Sequence, residues 1–295
     1  MGISREQALD CFRSDDLVGI GMEADAVRRR LHPEGVVTYA ISCTIRESKP
    51  DAAAVRDEVA EAIDLGITGV RVLRTTGEID PLEDLIRGIR QRFPSLAITG
   101  LSASDVLALA SGCRSGPRGI IARLHGAGLD SLAEDDIQQT GCNQQAWLDV
   151  HRAAHRLDMP TAAAMTFAAG ESIEQRIDAL ELLRKLQEET GGLTAFVPLA
   201  APAPGGRDLD GATAVERLKM LAIARMFLDT IENVQSASAG QGLKVLQTGL
   251  RFGANDLGST GRGSGVSEED LRRVIRDAGF KPVQRDALYR TMLLT

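Results

Sequence analysis

The residues best able to do chemistry in this sequence are its cysteines, a histidine pair, a run of acids, one isolated acid and two clusters of small polar side chains. Cys11, Cys43, Cys113 and Cys142 lie too far apart for any two to form the C-x2-C or C-x3-C half of a metal or cluster site. Reduced, mostly buried thiols are expected, not a disulfide set. His151 and His155 are spaced i,i+4, which lets one helix face present two imidazoles to zinc. Only Arg-Ala-Ala separates them, with no glutamate base, so a structural or solvated pair is expected and no metal is assigned.

Glu134, Asp135 and Asp136 suit Mg²⁺ or Ca²⁺, and equally suit a helix cap or a solvated face. Glu171, followed by Ser172, can receive an amine or a ribose hydroxyl, or can sit in the first turn of a helix, where acids suit the dipole. Ser236, Ser238 and Gln241 can orient a polar ligand, but no histidine lies near them in sequence to activate a serine. Asn255 and Asp256 can hydrogen-bond a sugar or close one end of the fold. Gly258–Gly265 lacks the lysine of a phosphate-binding loop and reads as flexible. The ligand-binding candidates are therefore Glu171, Ser172, Ser236, Ser238, Gln241, Asn255 and Asp256, with no catalytic residue assigned.

The elements that must position these residues follow from periodicity. Ser4 with Gln7 forms a capping-box pattern, and a second helical stretch ends at His32-Pro33, so residues 1–35 read as a helical extension. From residue 36 to 295, short β-branched runs alternate with amphipathic segments, the signature of parallel βαβ units in one α/β domain. Strands are expected at Val36–Ser42, Gly69–Arg74, Leu96–Leu101, Gly128–Leu132, Thr161–Thr166, Ala195–Leu199, Asn233–Ala237 and, weakly, Leu250–Gly253. Helices are expected at Ala53–Leu65, Pro81–Phe93, Gln145–Leu157, Ile173–Thr190, Ala212–Thr230 and Ser267–Ala278. That strand count is a barrel's, so chemistry belongs just after each strand. Long loops are expected at Pro198–Gly211 and Asn255–Gly265.

Composition narrows the partners. A formal net charge of -7 supplies no basic field for nucleic acid. No apolar run approaches the roughly 20 residues that span a bilayer, and the charged N-terminus lacks a signal-peptide core, so a cytoplasmic location is expected.

Several blocks resemble one family. They include Asp16-Leu17 through Arg28-Arg29-Arg30-Leu31-His32, Trp147-Leu148-Asp149-Val150-His151-Arg152 and Thr190-Gly191-Gly192. They continue with Ile231-Glu232-Asn233-Val234-Gln235-Ser236, Leu250-Arg251-Phe252-Gly253-Ala254-Asn255-Asp256 and Pro282-Val283-Gln284-Arg285-Asp286. Order and spacing resemble the radical-SAM enzymes of the futalosine route to menaquinone, above all cyclic dehypoxanthinylfutalosine synthase and, more distantly, aminofutalosine synthase. The resemblance implies a radical-SAM-type (β/α) TIM-like barrel behind a short helical preface.

The same family implies a C-x3-C-x2-C loop after the first strand, three thiolates holding a [4Fe–4S] cluster with one iron open to SAM. Here that loop reads Ser42-Cys43-Thr44-Ile45-Arg46-Glu47-Ser48-Lys49-Pro50, with one thiol. The family's Gly-His-x-Glu-Thr segment appears as Ala168-Ala169-Gly170-Glu171-Ser172, and its bulkier mouth residues as Leu199 to Gly206 and Ser236 to Gly240. The resemblance and these departures together imply a menaquinone-pathway barrel without radical chemistry, a pseudoenzyme holding a small polar or nucleoside-like ligand. Its alternatives are a noncatalytic partner or scaffold of a radical-SAM paralogue, and an enzyme of different, cluster-independent activity. No [4Fe–4S] cofactor is expected, while SAM or nucleoside binding stays open.

Overall fold

The computed structural model describes residues 2–46, 52–74, 77–112, 115–138, 143–168, 170–201, 211–237, 242–261 and 265–291. Ser4 opens α1 (Arg5–Arg13) through a reciprocal capping box with Gln7, and Asp16 caps α2 (Leu17–Leu31) by accepting from the Gly19 N–H. The alternating part follows as β1 (Val36–Arg46), α3 (Ala52–Asp64), β2 (Gly69–Leu73), α4 (Asp80–Arg92), β3 (Ala97–Gly100), α5 (Ala103–Ser111) and α6 (Gly116–Ala127). Next come β4 (Ser131–Leu132), β5 (Asp135–Asp136), α7 (Gln144–His155), β6 (Thr161–Phe167), α8 (Ile173–Thr190), β7 (Leu193–Ala200) and α9 (Ala214–Phe227). The chain closes with β8 (Asn233–Val234), α10 (Gly242–Gly249), β9 (Asp256–Thr260), α11 (Glu268–Asp277) and β10 (Lys281–Gln284).

All strand pairs are parallel, and they form a ring. β4 pairs with β3 and β5 with β6, so these short strands are two halves of one stave that changes neighbour across Ala133-Glu134. β8 meets β9 through the Gln235–Asp256 bridge, and β9 returns to β1 through Thr38 and Asp256. The result is a parallel (β/α) barrel. β1 is long because it serves two neighbours along one edge. Val36–Tyr39 pair with β10, and Ser42–Arg46 pair with β2, so the C-terminal strand wedges between two staves at their N-terminal ends.

The helix layer is held by apolar faces such as Leu82, Ile86 and Ile89 of α4 and Ile177, Leu180 and Leu183 of α8, all essentially buried. α9 is apolar almost all round, from Met220 to Phe227, because α1 and α2 cover the face that would otherwise meet water. The helical preface therefore completes the layer. Without it, α9 would expose a broad apolar surface.

Three segments depart from the sequence expectation. The weak strand at Leu250–Gly253 is a turn, because Leu250 is buried at the end of α10 and Gly253 swings the chain at φ +96°. The strand begins instead at Asp256, inside the segment read as a flexible loop. α5, α6 and α10 were not expected; their alanines and glycines blur the helical period, although Ser102 with Asp105 forms a full capping box before α5. No helix among the described residues is long and apolar enough to cross a membrane.

Candidate functional site

A parallel barrel of this size is ordinarily filled by layers of branched apolar side chains. Here many of the inward positions are small or polar, Ala40 and Ser42 on β1, Gly69 on β2, Thr99 on β3, Ala162 on β6 and Thr194 on β7, beside the apolar Leu132, Leu199 and Leu257. The small side chains leave a cavity of about 250 Å³ in the lumen. Its floor is the segment after β10, where Arg285, Ala287 and Tyr289 turn inward.

That floor is tied by one buried ion pair. Arg285 donates from Nε and Nη2 to the two carboxylate oxygens of Asp256 at 2.6 and 2.7 Å. Asp256 also accepts from Thr38 Oγ1 at 2.6 Å and from the Gly258 N–H at 2.7 Å, so its acceptor capacity is used. Burial opposes the charge of Arg285, but the Asp256 carboxylate outweighs it and holds the guanidinium above its ordinary value. The guanidinium lies 3.8 Å from the Tyr289 ring centroid, and burial pushes the Tyr289 phenol upward.

Asn255 is equally committed. Its Oδ1 accepts from Arg225 Nη2 at 2.6 Å and from the Val234 N–H at 3.0 Å, while Nδ2 donates to Asn233 Oδ1 at 2.8 Å. Arg225 in turn donates to the carbonyls of Gly253 and Glu232, and burial pulls it down to about 9, still charged at neutral pH. Expected as ligand contacts, Asn255 and Asp256 have internal partners instead, because β8, β9 and α9 leave backbone groups there that need them.

The other candidates scatter. Ser236 is buried after β8, and its N–H donates to the Asp256 carbonyl. Glu171 folds back to the Ala168 N–H at 3.3 Å and lies 3.5 Å from Arg176 Nε, outside the lumen lining and ahead of the helix instead of in its first turn. Ser172 is the N-cap of α8, in a capping box with Gln175. Ser238 and Gln241 lie outside the described residues, as does most of the run from Ala200 to Gly206.

The acidic run separates by role. Asp135 accepts from the Ala103 N–H at 2.5 Å, and Asp136 from the N–H groups of Gln138 and Thr166, so both hold the rim. Glu134 alone faces the lumen. Burial pushes its carboxyl above the usual range, while Arg71 and Arg285 pull it back and Asp256 opposes them. Arg71, from the middle of β2, also lines the cavity, in one register row with Thr99 and Ser131. Sequence reading missed Arg71, although a charge inside the β-branched run Gly-Val-Arg-Val-Leu was its signal.

The histidine pair sits in the helix layer, not at the mouth. His151 Nδ1 and His155 Nε2 both reach Thr161 Oγ1 at 2.8 Å, and His151 stacks on Trp147 at 3.7 Å. Among the described residues no group of three or more His, Cys, Asp or Glu side chains is placed to hold a metal ion.

Comparison with known proteins fits this architecture. Residues 207–294 match the family model described as the CofH/MqnC C-terminal region. The chain is 30% identical to cyclic dehypoxanthine futalosine synthase of Streptomyces coelicolor over 99% of its own length and 86% of the relative's. It is 34% identical to 5-amino-6-(D-ribitylamino)uracil–L-tyrosine 4-hydroxyphenyl transferase of Methanothermobacter thermautotrophicus, over 78% of this chain and 72% of that protein. Among solved structures, the hydrogenase maturase HydG of Carboxydothermus hydrogenoformans superposes with TM-score 0.71 at 13% identity, covering 98% of this chain and 78% of that one. Methylornithine synthase PylB gives TM-score 0.68 at 13% identity over 96% and 94%, and both likenesses speak to fold alone.

These relationships correct the expectation that no [4Fe–4S] cofactor is bound. Relatives matched over most of the chain are radical-SAM enzymes, for which a cluster and SAM are the working cofactors, and nothing in the structure shows that a cluster is absent. The short loop after β1 does not decide the matter, since its residues 47–50, with Cys113 and Cys142, lie outside the described residues. The described thiols, Cys11 on α1 and Cys43 on β1, do not by themselves supply three thiolates. Cys43 lines a groove beside Ile41 and Ser42, which also border the lumen, but Cys43 itself does not line the lumen cavity.

Sequence identity over nearly the whole chain, a matching C-terminal region and a shared barrel agree: the chain belongs to the radical-SAM family that includes cyclic dehypoxanthine futalosine synthase.

Proposed function

We propose that this protein is a menaquinone-pathway barrel that binds a nucleoside-like or small polar ligand in its lumen. The observation that carries the reading is the hollow core, a cavity of about 250 Å³ lined by Ser42, Thr99, Ser131 and Ser259, where a barrel ordinarily packs branched apolar residues. Hydroxyls and small side chains leave room for a polar ligand and offer it hydrogen bonds. The Arg285–Asp256 pair and Tyr289 close the floor, so a ligand enters from the strand C-terminal ends.

The test is calorimetric titration with adenosine, 5′-deoxyadenosine and SAM, on protein whose iron and sulfide have been assayed. Saturable binding by native protein, abolished by Ser259→Phe, is the expected result, because that side chain fills the cavity from β9. Binding that Ser259→Phe leaves intact places the ligand elsewhere, and no binding by the native protein overturns the reading.

A further inference from the structure

Two charged side chains in the lumen have no partner. Arg71 on β2 and Glu134 at the β4/β5 corner both line the cavity, and among the described residues neither makes a hydrogen bond or an ion pair. They are not paired with each other within 4.0 Å, although each lies in the other's field. Arg285, the other charged residue lining the cavity, is satisfied by the buried Asp256. Both side chains, Arg71 and Glu134, are exposed within the open cavity, so each is free to take an oppositely charged ligand group in place of water.

We propose that Arg71 and Glu134 form the two ends of a subsite for a small zwitterion, the ligand's acid group on Arg71 and its amine on Glu134. This rests on the reading of the lumen as a ligand cavity and names the chemical class that one part of it recognises. The guanidinium offers a fork of N–H donors that matches a carboxylate, and the Glu134 oxygens accept from an ammonium. Thr99 and Ser131, in the same register row as Arg71, supply hydroxyls along the wall between the two charges. An ammonium placed against Glu134 favours its ionised form.

The experiment uses the full chain and a series of probes that vary charge and spacing: glycine, β-alanine and 4-aminobutyrate as zwitterions, with acetate and methylamine as single-charge controls. At least one zwitterion should bind saturably, and more tightly than either control. Arg71→Met and Glu134→Gln should each weaken that binding by about 10-fold or more, the loss of one charge-assisted contact. Neither substitution should lower the melting temperature, since neither side chain supports another; a structural role would lower it. Equal binding of acetate and zwitterion, or indifference to Glu134→Gln, overturns the proposal in favour of a simple anion site. If adenosine binds and Ser259→Phe abolishes it while no zwitterion binds, the lumen reading stands and the zwitterion subsite falls. If neither class binds, both fall.

Discussion

Acidification should destabilise this protein through His151, and the size of the effect can be worked out. His151 is fully buried in the helix layer, stacked on Trp147, and burial followed by the neighbouring His155 lowers its pKa from 6.5 to about 3. Burial also lowers His155, to about 4. Both imidazoles are therefore neutral in the folded protein throughout the range in which an unfolded histidine protonates. Below pH 6.5 the unfolded chain binds protons that the folded chain refuses, so stability falls as pH falls until the folded values are reached. At about pH 5, the difference for His151 is roughly 2 kcal/mol, from about 1.4 kcal/mol per pH unit. His155 adds a comparable but smaller amount, being less completely buried. Glu134 and Asp135, whose pKa values burial raises, act in the opposite direction, so the informative quantity is the difference between variants. Urea unfolding at several pH values between about 5 and 7.5 should show His151→Gln losing about 1 kcal/mol per pH unit less steeply than the native chain. Parallel pH dependences for the two proteins would refute the reasoning.

The remaining expectations concern the barrel floor and its closing turn. Arg285→Met or Asp256→Asn leaves one buried polar partner uncompensated, so each should destabilise by about 3–5 kcal/mol, with the double substitution costing less than the sum in thermal unfolding. Asn255→Ala strips partners from Arg225, the Val234 N–H and Asn233, and should lower stability by about 2–3 kcal/mol in chemical denaturation. Gly258→Ala should lower the melting temperature, because φ is +77° and an added Cβ meets Gln235 Nε2 at 2.4 Å. A neutral result there would mean that the β8–β9 connection relaxes freely.

Much of the scaffold was legible along the chain. Alternation of β-branched runs with amphipathic segments marked most of the staves, and Ser4 with Gln7 marked a helix start that the structure bears out as a capping box. These signals are local: a strand's period and a cap's hydrogen bond are decided within a few residues. Even the correctly expected family blocks around Asn255 and Arg285 could be recognised without knowing what they do.

What those residues do was decided by tertiary structure. Asn255 and Asp256 read as exposed polar loop residues, yet the barrel's closure brings Arg225 and Arg285, 30 and 29 residues away, to donate to their side chains. Glu134 shared one acidic run with Asp135 and Asp136, and only the change of neighbour between β4 and β5 turned it inward while its companions took backbone N–H groups at the rim. Arg71 had a strand's alternation but no sequence mark to say that its side faced a hollow lumen instead of solvent. Composition and period determine which segments become strands and helices. Which polar groups find partners, and which are left facing a cavity, depends on long-range pairing that local sequence does not encode.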